Sequence, residues 1–446
     1  MLLKQINRSY LTIGILLYIL FSISNIVNTD FIAIHIVSAF TFLIYGIVIY
    51  KSSQQSNSFF KYKNLAIIVF CISIIEVIIF QLLSYYIEGD TFVFSKTDAI
   101  GYYVGAMKMA QMSFGDGVRY LSDVLGYGMD DWGAFLWISS IFRIVPSLQF
   151  LSFIYCIVGT LSSLMLFDIG RNLMPRRYAF MAALSFSVSS FMLVHDSQCL
   201  KEIIMVFCII AVFECFFIYI RKKENKYLFL AILCSLLVFL FRIPTALLLI
   251  LSLGLTWVLL HIKGPAAMFL IVVFTIAICS TSLFSFTYSR YLRNGDTNLM
   301  IERKNELAGG GGVINQLTDP LAAFVGPFPS VKITTIKPTP LYTAGLLYRF
   351  LLSAPFFLGI FYIIKERYIK MYPFALFFLV NALGIAISVK GLETRLSMPQ
   401  LSMMYIVAFW FLAKYDYEQF SWKIPQKVIQ GYFIGIMMLC FLWNLR

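Results

Sequence analysis

The sequence predicts an all-α integral membrane protein, with about 13 transmembrane helices and two long outer loops carrying interfacial helices. Three observations carry that prediction. Of the 446 residues 60% are hydrophobic and only 13% charged, well beyond the apolar share of about 45–50% usual for a water-soluble domain. The apolar residues come in runs long enough to cross a bilayer, and unsatisfied backbone groups in lipid force each crossing to be helical. The Lys and Arg residues fall in short clusters between those runs rather than along one face. This excludes a nucleic-acid partner despite the net charge of +13 and suits anionic lipid instead.

Taken in order, the expected spans are roughly 10–27, 32–50, 64–86, 147–168, 178–194, 201–220, 227–242, 245–260, 265–286, 347–364, 371–388, 397–413 and 428–444. The first follows Lys4 and Arg8 like a signal peptide. It is long enough to span, however, and no small-x-small site follows in Asn25–Asp30, so it reads as a retained span. With the N-terminus inside, every inner connection is basic: Lys51, Lys61 and Lys63, then Arg171, Arg176 and Arg177, then Arg221 to Lys226, and so on to Lys427. The pair around Arg242-Ile243-Pro244 reads as two helices or as one kinked helix.

These spans divide the chain into residues 1–63 with two N-terminal helices, a seven-span module at 64–286, a lid-like outer loop at 287–346 and C-terminal helices at 347–446. The first outer loop, 87–146, belongs to the module. Structureless loops of more than about 12–15 residues are uncommon unless they bind or cover something. Chemistry is therefore expected on the outer face.

The first outer loop opens with Ser95-Lys96-Thr97-Asp98 and continues into Tyr102 and Tyr103. Ile100, Tyr103, Val104 and Met107 share one face, so residues 99–112 read as an interfacial helix. Asp98 fits two roles equally: a helix cap with Ser95, or a carboxylate that takes a proton from a sugar hydroxyl or holds a divalent cation. The turn His195-Asp196-Ser197-Gln198-Cys199-Leu200-Lys201-Glu202 is the second charged site. Glu202 opens an apolar span, where a carboxylate needs a partner, whereas Lys201 also fits a snorkelling anchor. His195, Asp196, Cys199 and Glu202 form a weak candidate metal set. Three histidines in all, and no C-x-x-C pair, argue against a histidine-based or zinc-knuckle site and against a disulfide framework.

Arg242, Arg349 and Arg395 fall at outer ends of expected spans, with Arg290 and Arg293 opening the second loop. Guanidinium groups there serve as membrane anchors or, where they converge, as bidentate ligands of a phosphate. Glu76 lies mid-span and is the best hint of an ion or proton path. Gly309–Gly312 is followed by Val313, not Lys-Ser/Thr, so it is a hinge rather than a nucleotide loop.

Asp98 with Tyr102-Tyr103, Trp132 to Trp137, His195 to Glu202, Phe241 to Pro244 and Glu393 to Pro399 together resemble the C-type polytopic membrane glycosyltransferases, whose members include polysaccharide and O-antigen polymerases. The likeness covers about residues 64–286, with weaker echoes to about 415, and its motifs are short. It implies a transferase that moves a sugar or oligosaccharide from a polyprenyl phosphate or pyrophosphate carrier to a glycan acceptor. The setting would be cell-envelope polysaccharide biosynthesis at the outer face of a bacterial inner membrane, beside other assembly proteins. By position it implies that Asp98 deprotonates or orients the acceptor. Glu202 or Asp196 would assist or bind a metal, and Lys201, Arg242 and Arg395 would hold the carrier phosphate. Tyr102, Tyr103, His195 and Arg290 join them as substrate-binding candidates. No cofactor is required outright; a divalent cation held by Asp98, Asp196 and Glu202 is the candidate. Two departures stand out. Asp98 is followed by Ala99 where the family often has a second carboxylate, which leaves the base open among Asp98, Asp116, Asp123 and Asp130-Asp131, and two extra spans precede the module. The rival class is a flippase or secondary transporter for a lipid-linked or charged solute, which Glu76 favours.

Overall fold

The computed structural model describes residues 2–25, 32–92, 98–124, 129, 131–261, 324, 328–331, 339–387, 397–417 and 424–445. Among these residues the fold is all helical, with no strand. The first helices are α1 (Leu2–Asn25), α2 (Ile32–Ser53) and α3 (Tyr62–Glu88). The loop that the charge pattern assigns to the outside holds α4 (Asp98–Ala110), α5 (Phe114–Arg119), a π turn at Tyr120–Val124 and α6 (Trp132–Phe142). Then come α7 (Leu148–Arg171), α8 (Arg176–Ser187), α9 (Ser190–Ser197), α10 (Lys201–Lys222), α11 (Asn225–Phe239) and α12 (Ile243–His261). The C-terminal part holds α13 (Thr339–Lys365), α14 (Tyr372–Ile387), α15 (Met398–Tyr417) and α16 (Gln426–Leu445).

Seven described helices are long and apolar enough to cross a membrane: α2, α3, α7, α10, α12, α13 and α16. An eighth crossing is formed if α8 and α9, which bend by 44° at Val188–Ser189, count as one broken span. Among the described residues the expectation of 13 spans is therefore met only in part. The expected fifth span, 178–194, is interrupted by this bend, and α11 is only 15 residues long. The ninth expected span, 265–286, lies outside the described residues. Around Arg242 the chain forms two helices, since α11 ends at Phe239 and α12 starts at Ile243.

The centre of the bundle is made by α8, α9 and α15, which are buried on every side, as a helix surrounded by other helices must be. Around them, α7 packs on α3, α8 and α10; α13 packs on α2, α9 and α15; and α10 packs on α11. The outer helices are two-faced. In α1, Ile6, Tyr10, Ile13 and Leu17 are buried while Ile15, Leu16, Ile19 and Leu20 are exposed, and α3 likewise exposes Ile67, Ile75, Ile78 and Leu82. An apolar exposed stripe of that length suits lipid rather than water.

The two ends of the bundle carry different chemistry. At one end Tyr62 donates to Asp168, Arg171 pairs with Asp168 at 3.1 Å, and Arg221 donates to Asn172 at 2.8 Å. These residues border the connections that the charge pattern assigns to the inside. The 22 residues of α10 then carry the chain about 33 Å to Lys201 at the other end.

Candidate functional site

Lys201 and Glu202 open α10 and sit side by side, and each finds an opposite charge from a different part of the chain. Lys201 pairs with Asp131, which immediately precedes α6; their side chains are 11% and 16% exposed. Glu202, 1% exposed, accepts from Arg242 Nη2 at 3.1 Å. Arg242 comes from the short link between α11 and α12. Asp131 also accepts a hydrogen bond from the Tyr102 hydroxyl on α4 at 2.9 Å. Two ion pairs and one phenol thus join four segments at one end of the bundle.

Local structure places these groups. The Gly133 N–H donates to the Leu240 carbonyl at 2.7 Å, which ties the start of α6 to the segment that bears Arg242. Such an approach needs glycine: a Cβ at position 133 would lie 2.9 Å from that carbonyl oxygen and 2.8 Å from the Phe241 ring. Tyr102 is held by an edge-on contact with Phe135, centroids 5.3 Å apart. Its burial pushes its phenol well above the usual tyrosine range, reinforced by the negative charges of Asp131, Glu202 and Asp98. The phenol is therefore a donor, and Asp98 lies within electrostatic reach of the same group.

The turn from α9 to α10 is tight, and all of His195 to Leu200 is buried. Cys199 adopts a left-handed conformation with φ 49°, which a non-glycine residue takes only at a cost. Burial pushes its thiol up to about 12. The Asp196 carboxylate is directed toward Gly159 on α7, and one of its oxygens, Oδ1, has no hydrogen-bond partner. The Tyr155 hydroxyl and both amide atoms of Gln198 are buried in the same condition. Tyr155 lies within electrostatic reach of both Asp196 and Glu202. Gln81 reaches in from α3 to Ser152 Oγ at 2.8 Å and the Ser197 carbonyl at 3.1 Å. A polar interior therefore continues from the ion pairs down between α3, α7 and α9.

The sequence-predicted residues separate into groups. Asp98, Tyr102, Lys201, Glu202 and Arg242 come together, and Asp131, among the alternatives for the base, joins them. Asp116 and Asp123 do not: both are exposed, accepting from Ser113 and Ser122. Tyr103 is engaged with Phe92 and Phe142, centroids 5.2 and 5.3 Å away. His195 Nδ1 bonds the Phe191 carbonyl at 2.7 Å, and its ring sits against Phe191 and Tyr342. Asp98, Asp196 and Glu202 do not assemble as ligands; among the described residues no three His, Cys, Asp or Glu side chains could hold a metal ion. Arg290, Arg293, Arg395, Asp130 and Gly309–Gly312 lie outside the described residues, as does the Ser95 half of the capping box.

Arg349 departs from its expected position. Its helix starts at Thr339 rather than near 347, so the guanidinium lies ten residues, about 15 Å, in from the end of α13. It is 2% exposed, 5.5 Å over the Phe191 ring, with one long hydrogen bond to Ser397 Oγ at 3.4 Å. Its Nε and Nη2 have no partner. Glu76 is also buried: Thr41 donates to Oε2 at 2.8 Å and Oε1 is unpartnered.

No protein-family model matches the chain, and no curated protein is similar to it.

Proposed function

We propose that the protein is a membrane glycosyltransferase or polysaccharide polymerase, which moves a sugar or oligosaccharide from a polyprenyl phosphate or pyrophosphate carrier to an acceptor at the outer face. The observation that supports this reading most is the joining of the first outer loop to the second charged turn through Asp131–Lys201, with Glu202–Arg242 beside it. Surface ion pairs contribute little to stability, but nearly buried ones are costly to desolvate and are retained where they set geometry.

Charge balance suggests a division of labour. Lys201 and Arg242 are neutralised by Asp131 and Glu202, so those four residues position the loop rather than act alone. Asp98, one helical turn before Tyr102 and within electrostatic reach of its phenol, is the base in this reading. It takes the proton of the acceptor hydroxyl as that oxygen attacks the anomeric carbon, and the bond to the carrier phosphate breaks. The cations assigned to the departing phosphate are Lys201 and Arg242, which lie at the same end of the bundle as Tyr102 and Asp131. The partners would be the lipid-linked donor, the glycan acceptor and membrane lipids.

The test is a reconstituted transfer assay with a polyprenyl diphosphate oligosaccharide. Asp98→Asn is expected to abolish turnover while membrane expression persists, and undiminished turnover rejects Asp98 as the base. A second reading, a coupled carrier, is favoured by the buried Glu76. Glu76→Gln leaves transfer intact on the first reading and abolishes solute movement on the second.

A further inference from the structure

The end of the bundle away from Lys201 holds a cavity of about 640 Å³, within the range of about 300–1,000 Å³ usual for small-molecule sites. Its wall includes Lys4 and Arg8 of α1, Gln54 just beyond α2, Arg177 and Tyr178 of α8 and Asp416 of α15. None of these residues takes part in the site described above.

The charges do not cancel. Among the described residues three cations face one carboxylate, a net of +2, and that carboxylate is already engaged: Asp416 Oδ1 accepts from the Leu2 N–H at 3.1 Å and Oδ2 from the Tyr178 hydroxyl at 2.6 Å. Among the described residues none of Lys4, Arg8 and Arg177 makes an ion pair. Arg177 donates from Nη2 to the Ser53 carbonyl at the end of α2, which fixes the guanidinium, while its buried Nε has no partner. Lys4 and Arg8 are spaced i, i+4 and so project from the same side of α1. Arg177 and Tyr178 lie in the first turn of α8, where the helix dipole adds positive potential. Lys and Arg at a membrane boundary commonly act as dispersed anchors. Here they border one hollow from two helices, with two tyrosines, Tyr50 and Tyr178, in its wall.

We infer that this cavity is a binding site for an anionic phosphate group. Two sources of that chemistry exist at such a surface: the headgroup of an anionic phospholipid, and a soluble phosphate compound. A guanidinium held in place beside two exposed cations suits either, because planar N–H donors match phosphate oxygens and the remaining charge is supplied by Lys4 and Arg8.

The experiment uses the full chain in a neutral detergent. Phosphatidylglycerol, with phosphatidylcholine as control, is titrated and followed by native mass spectrometry; inorganic pyrophosphate is titrated separately by calorimetry. The wild type is expected to bind one of the two anionic probes saturably, at one per chain. Lys4→Gln with Arg8→Gln should weaken binding about tenfold, and so should Gln54→Glu, which adds a negative charge at an exposed position. Adding Arg177→Gln should remove it. Saturable, variant-sensitive binding of phosphatidylglycerol identifies a lipid headgroup site, and the same result with pyrophosphate identifies a soluble ligand. If neither probe saturates, or if Gln54→Glu and the double variant bind as the wild type does, the site does not exist. Those two variants alter exposed side chains, so the test stands even if Arg177→Gln fails to fold.

Discussion

Replacing Asp131 by Asn keeps an oxygen that can accept from Tyr102 but removes the negative charge, and leaves the nearly buried Lys201 ammonium without the counter-charge of Asp131. A loss of about 3 kcal/mol is expected in detergent unfolding, together with, on the proposed function, loss of transfer. Asp131→Leu with Lys201→Met should recover most of the stability but not the activity, which separates holding the loop from supporting chemistry. Tyr102 makes a pH-dependent contribution with a definite sign. Its phenol is raised in the folded protein, so above about pH 10 the unfolded chain ionises first and stability falls as pH rises further. Tyr102→Phe should flatten that alkaline slope and cost about 1 kcal/mol at neutral pH through the lost hydrogen bond. Asp98, Lys201, Glu202 and Arg242 were legible in the sequence because charge in an apolar chain is conspicuous, and Tyr102 because it follows Asp98 by one helical turn. Tyr155, Gln81 and Gln198 were not, since a neutral polar residue inside an apolar run gives no signal until its neighbours are known. Asp131 could be named only among equals, because its pairing with Lys201 spans 70 positions.

At the scale of elements, the approach of α6 to the α11–α12 link is the most sensitive feature. Gly133→Ala should push α6 away from Leu240 and Phe241, costing about 1–3 kcal/mol and disturbing the Arg242–Glu202 pair. A thermal unfolding comparison with Gly115→Ala, where a Cβ meets nothing within 4 Å, provides the control. The α9–α10 turn offers a second test. Cys199→Gly relieves a left-handed cysteine and is expected to be tolerated, whereas Cys199→Val should destabilise by roughly 1–2 kcal/mol. The native thiol, buried and pushed up to about 12, should resist maleimide at pH 8 in the folded protein. Period and length were enough to locate α10, α11 and α12, but not α6. They were not enough to find the bend at Val188–Ser189, since Phe180 to Leu193 reads as one apolar run. What breaks it is a pair of serines engaged with α13: Ser190 Oγ accepts from the Gly345 N–H at 2.9 Å.

For the molecule as a whole, the asymmetry of Lys and Arg predicts sidedness. Ser122→Cys, exposed in the first outer loop, should be labelled from outside intact cells, and Ser56→Cys, exposed between α2 and α3, only after permeabilisation. The reverse pattern would overturn the orientation. Number of crossings was the less legible property, because a run such as 178–194 or 227–242 satisfies composition while the folded helix is bent or too short.

The recessed turn between α9 and α10 bears on how the protein could be blocked. Every residue from His195 to Glu202 is shielded, so a hydrophilic compound dissolved in the medium has no direct route to that depth. On the proposed function, antagonists acting at this turn should instead be amphiphiles: an alkyl tail to enter the bilayer sideways, and an anionic head short enough to slip between helices.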